Sequence, residues 1–146
     1  VVRHSKIELR NIMKKTKYIS LIFLSTFMIS CGQDIKPDEI LRDEIEFKLT
    51  IYAKPSNSLD ILSTKSIPKN SKIINELEEW LTRNSDGWRN SIISYTTPDI
   101  SLIGKDFRLL IFENLIVIGF TDTTGKSKQF TKQVAKKELE FLTKNH

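Results

Sequence analysis

Residues 45–53, IEFKLTIYA, alternate between apolar and polar side chains. Ile45, Phe47, Leu49, Ile51 and Ala53 fall on one side, and Glu46, Lys48, Thr50 and Tyr52 on the other. A period of two predicts a strand with one buried face. The pattern changes period at NSKIINELEEWLTRNSDG (70–87), where Ile73, Ile74, Leu77, Trp80 and Leu81 line one stripe of a helix. Asn70 or Ser71 is placed to cap it, and Asn84–Gly87 to stop it. Lys72–Glu76 and Glu79–Arg83 stand four apart on its outer side. DFRLLIFENLIVIGFTD (106–122) is apolar on successive positions. It predicts two central strands covered on both faces and joined at Glu113-Asn114.

Weaker patterns fill the gaps. DILSTKSI (60–67) predicts a strand ended by Pro68, after a turn at PSNS (55–58). WRNSIISY (88–95) predicts a short strand broken by TTPD, and SKQFTKQV (127–134) one that pairs back across TTGK. AKKELEFLTKN predicts a terminal helix with Ala135, Leu139 and Leu142 inward. PDEILRDE (37–44) supports a turn or two of helix with Pro37 at its first position. Together these give an α+β fold. Its expected form is an antiparallel sheet of four to five strands with one or two packed helices, after an N-terminal signal helix.

That signal helix comes from a different pattern. Lys14, Lys15 and Lys17 follow Met13, and Tyr18–Ser30 carry no charge. The run is shorter than the roughly 20 residues a spanning helix needs, so a secretory signal is the reading. It ends Met28-Ile29-Ser30-Cys31-Gly32, on the only cysteine of the 146-residue chain. This junction resembles the bacterial lipobox, with Met28 where leucine is usual. The resemblance covers residues 13–32 only. It implies cleavage between Ser30 and Cys31, a diacylglycerol on the Cys31 sulfur, and acylation (palmitate-type) of the new amino terminus. A lone thiol in an oxidising compartment also argues for a cysteine so occupied. Gly32 after the cysteine, rather than aspartate, resembles the signal for the outer membrane in a two-membrane host. The protein is then expected to face the periplasm.

The expected division is a mis-called upstream extension at 1–12, a lipoprotein signal at 13–30, a tether at 31–37 and one domain at 38–146. Residues 1–12 fit no signal pattern. Arg10-Asn11 can be encoded by purine-rich AGG-AAY just before Met13, which suggests a mis-called start, with Met13 the true one.

Charge changes meaning once the leader is set aside. The formal net charge is +5, but six of the 23 basic and one of the 18 acidic residues lie within residues 1–30. That leaves 17 of each, without the basic footprint of a nucleic-acid binder. Six lysines against two glutamates in 126–146 read as a solvated face.

Candidate chemistry is sparse. GFTDTTGKS (119–127) resembles a phosphate-binding loop, but it has five residues between the glycines instead of four, and strand-like alternation follows the lysine. A hairpin turn is the reading, and no nucleotide or other cofactor is expected. The two histidines are His4, in the leader, and His146, the last residue, so no Ser-His pair or Cys/His zinc set is expected. Glu76, Glu78 and Glu79 fall on the outer helix face, and Asp99, Asp106 and Asp122 beside turns. Trp80 belongs to the apolar stripe. Trp88, Arg89 and Tyr95 are the protein-binding candidates, being types enriched in interface hot spots, although Trp88 also suits a lid over the core. The expectation is a lipid-anchored, non-catalytic interaction module such as an assembly accessory, an inhibitor or an immunity-type protein, with a protein partner in the envelope. The alternative is a tethered hydrolase of peptidoglycan or lipid, with a carboxylate or Ser-Lys site.

Overall fold

The computed structural model describes residues 32–53 and 60–144. The expected signal segment with Ser30 and Cys31, the turn at 55–58 and His146 lie outside them. The described elements are α1 (Pro37–Ile40), β1 (Glu46–Tyr52), β2 (Ile61–Pro68), α2 (Lys72–Arg83), β3 (Arg89–Asn90), β4 (Ile100–Ile103), β5 (Phe107–Ile111), β6 (Ile116–Thr121), β7 (Ser127–Lys132) and a C-terminal 3-10 helix, Lys136–Leu142.

The strands form one antiparallel sheet in the order β2-β1-β4-β5-β6-β7-β3. The expected antiparallel sheet with packed helices is present, but among the described residues it has seven strands instead of four to five. The addition is β4. Its four residues, ISLI, are too short to show a period and follow directly on Pro98-Asp99. The expected strand at 88–95 contracts to the two residues of β3.

Register fixes the two faces. Leu49, Leu102, Leu109, Ile118 and Phe130 stand side by side across five strands, and all are buried. Over them lies α2, with Ile74, Leu77, Trp80 and Leu81 inward. Burying a side chain such as Leu77 contributes roughly 1.5–3 kcal/mol. Ser71 caps this helix, its hydroxyl accepting from Ile74 N–H at 3.4 Å. The Lys72–Glu76 pair forms at 3.6 Å. Arg83, by contrast, donates through Nε to the Glu79 carbonyl at 3.4 Å instead of pairing with that carboxylate.

Three expectations are corrected here. Ile45 lies outside β1 and is exposed, while Thr50 on the supposedly wet side is buried. The terminal helix is a 3-10 helix interrupted at Leu139, although Leu139 and Leu142 do point inward. The hairpin β5–β6 lies at the centre of the sheet. Only β6 is covered on both faces, because Arg108 on β5 is exposed.

The connections explain the layers. α2 carries the chain along the covered face from the β2 edge to the β3 edge. Residues 91–99 then return over the other face, as a strap without regular structure, to enter β4 in the middle of the sheet.

Candidate functional site

Among the described residues, no helix lies over the face away from α2. Two grooves lie on it, of about 400 and 390 Å³, and Arg108 lines both. Arg108 projects there because its strand neighbours Phe107 and Leu109 turn to the core. Across the ladder its partner is Gly119. A Cβ at Gly119 would meet Arg108 Cγ at 3.0 Å and Cδ at 3.2 Å, so the missing side chain is what lets the arginine lie flat over β6. Nη2 of Arg108 donates to Gln129 Oε1. Gln129 Nε2 donates in turn to the Ile93 carbonyl at 2.9 Å, tying the strap to the sheet.

Ser91, Ile93 and Tyr95 of the strap line the second groove together with Leu110 of β5. Tyr95 is half-buried. Its ring packs on Phe112 with centroids 5.7 Å apart, and its hydroxyl lies 2.6 Å from Ser91 Oγ. Ile92 and Ile93 point to solvent. Among the strand residues of this face, Lys48, Arg89 and Arg108 stand against Glu46 alone, and the Glu46 carboxylate accepts from Ser66. Arg108 has no ion pair among the described residues. A guanidinium has five N–H donors in a planar fork, so donors remain beyond the one given to Gln129.

Of the binding residues expected from the sequence, Tyr95 and Arg89 lie on this side of the sheet and Trp88 does not. Trp88 is fully buried, its ring edge-on to Trp80 at 6.5 Å and its Nε1–H donated to the Asn84 carbonyl at 2.7 Å. Lys132 Nζ sits 5.7 Å from the ring centroid and donates to the carbonyls of Asn84 and Asp86, closing the C-terminal end of α2. Trp88 is the lid over the core, with no surface left to offer a partner. Arg89 is exposed on the two-residue β3.

The acids are engaged structurally. Asp99 pairs with Lys136 at 3.1 Å and Asp106 with Lys105 at 3.7 Å. Asp122 organises the β6–β7 turn, accepting from Thr124 Oγ1 (2.6 Å), Thr124 N (2.8 Å) and Lys126 N (3.0 Å), with Lys128 3.2 Å away. Those hydrogen bonds, the Thr124 hydroxyl first, hold its carboxyl well below the usual carboxylate range. Lys126 and Ser127 lead into β7, so GFTDTTGKS is a hairpin with Gly125 in the left-handed region and lacks the helix a phosphate loop needs. Glu78 and Glu79 border a shallow groove on the outer side of α2. Among the described residues there is no group of three His, Cys, Asp or Glu that could hold a metal ion.

Sequence reading missed Arg108, Gly119 and Gln129. The available signal was a single charge inside an otherwise apolar central strand. Its meaning depends on Gly119 being the cross-strand partner, which only register shows. No family model matches the chain, and no curated protein or solved structure is significantly similar to it.

Proposed function

We propose that this protein is a lipid-anchored envelope lipoprotein and works as a non-catalytic interaction module. Cys31 carries the lipid, in the outer membrane if the host has two. The face around Arg108 meets a protein partner that offers it a carboxylate. The observation that carries the contact surface is Arg108 itself. It is exposed, laid flat in the gap at Gly119, steadied by Gln129 and without an acid of its own among the described residues. A guanidinium held in place loses little entropy on binding, and bidentate carboxylate recognition is what its geometry suits. The surplus of cations on that face points to an acidic patch on the partner.

The reading has two legs, tested separately. Metabolic labelling with a fatty acid should mark the wild type and not Cys31→Ser, and equal label in both refutes the anchor. The body Gly32–His146, a compact unit of its own, should retain one specific protein from envelope extract. Arg108→Ala should lose that protein, and Glu78→Ala on the opposite side should keep it. Cleavage of peptidoglycan or a lipid ester by this body, abolished by removing one acid without unfolding, would replace the module with a tethered hydrolase.

A further inference from the structure

The segment expected to be a short polar tether, residues 31–37, is tied to the body from Gly32 onward. Gln33 N–H donates to the Trp88 carbonyl at 2.8 Å and forms an antiparallel bridge with that residue. Ile35 N–H donates to the Ser85 carbonyl at 2.8 Å, and the Ile35 side chain is buried in the core. Gly32 lies against Gly87 so closely that a Cβ on it would sit 2.8 Å from the Gly87 Cα. This is backbone on backbone, which only glycine permits. Nor is the far side of the contact a yielding loop, because Trp88 is fully buried and hydrogen-bonded at Nε1.

A flexible linker of n residues lets its cargo wander about 5–6 Å × √n. Here the freedom is confined to the bonds around Gly32. Any group carried on residue 31 is one peptide bond, about 3.8 Å between Cα atoms, from a residue packed on the folded body. Resting on acylation at Cys31, we infer that one end of the body lies against the lipid surface: Gly32, the 85–87 turn and the β3 edge. Six strand spacings of about 4.8 Å then place β2 roughly 29 Å away along the sheet. The face around Arg108 stands beside the membrane instead of being pressed onto it. Charge does not produce this arrangement. The exposed ionic residues around that end are Asp34, Asp38 and Asp86 against Lys36, Arg83 and Arg89, three of each sign. Attraction to anionic lipid is therefore weak, and the orientation is insensitive to salt.

The chain has one cysteine, which the lipid occupies, so an introduced thiol can be labelled alone. Full-length acylated protein carrying Asp86→Cys or Lys65→Cys is labelled with an environment-sensitive fluorophore. It is then reconstituted in phosphatidylcholine vesicles containing a headgroup nitroxide. Quenching should be several-fold stronger at position 86 than at 65 and unchanged by high salt. A long Gly/Ser insertion between residues 31 and 32 should bring the two together. Equal quenching in acylated protein of native length, or a difference that survives the insertion, overturns the inference while leaving the anchor standing. Failure of fatty-acid label to enter the chain overturns the anchoring reading itself, and this inference with it.

Discussion

Arg108 occupies the space that a side chain on Gly119 would fill, and this pairing separates binding from stability. The three atoms nearest a methyl group at 119 are Nε, Cγ and Cδ of the arginine, all of them side chain. The arginine must swing off β6 and give up its bond to Gln129, but it stays exposed to water, and alanine is no worse than glycine in a strand. Gly119→Ala should therefore change stability by less than about 1 kcal/mol while weakening partner capture as Arg108→Ala does. Thermal melting and capture measured on the same protein check this.

Trp88 gives the opposite outcome. It is buried against Trp80 and closes the C-terminal end of α2. Trp88→Ala should cost about 3–5 kcal/mol through the cavity it leaves, and Leu77→Ala about 2–5 kcal/mol for the same reason. Glu78→Ala and Glu79→Ala should cost little, since neither side chain is in the core. Denaturant midpoints at constant slope give these values. Any loss of binding in Trp88→Ala should track its unfolded fraction.

Glu44 holds the turn between β4 and β5. Its buried carboxylate accepts from Lys105 N–H and Asp106 N–H, both at 2.7 Å, over the bare Cα of Gly104. Glu44→Ala leaves two backbone donors without that acceptor, at about 1–3 kcal/mol for a donor left unsatisfied in the interior. Glu44→Gln keeps one oxygen acceptor and should fall between the two. Amide hydrogen exchange at residues 105 and 106 should rise first in Glu44→Ala.

How far the sequence carried depended on whether the information was local. The stripe from Ile73 to Leu81 and the Ser71 cap specify α2 without help from the rest of the chain, as the apolar run from Phe107 to Phe120 does for the central hairpin. β4 was illegible because its four residues take their identity from β1 and β5 on either side. Residues 33–36 look like a polar tether in sequence. Only the single apolar Ile35 hints otherwise, and its docking depends on Trp88, more than fifty positions later. Trp88 itself follows Gly87, a helix stop, at the head of a short weak strand pattern, and nothing local marks it as core. The candidate site suffered most, because Arg108 matters only through Gly119 and Gln129, which belong to two further strands.

Asp122 makes the β6–β7 turn depend on pH. Its carboxyl titrates lower in the folded chain than in the unfolded one, where about 3.9 is usual. The stabilisation is therefore fully present above that unfolded value and is lost as pH falls toward the folded one. Asp122→Asn should melt below the wild type at pH 7, and the gap should narrow progressively below about pH 4. A gap independent of pH would assign the effect to turn geometry alone.

The central claim is that a partner sits on the uncovered sheet face. Its most direct test is a photo-crosslinking residue at Ile93 on the strap, compared with one at Glu78 on the outside of α2, in the living envelope. The account predicts one discrete adduct from position 93, lost when Arg108→Ala is added, and none from position 78. An adduct that forms chiefly at position 78, or one at 93 that Arg108→Ala leaves unchanged, would contradict it.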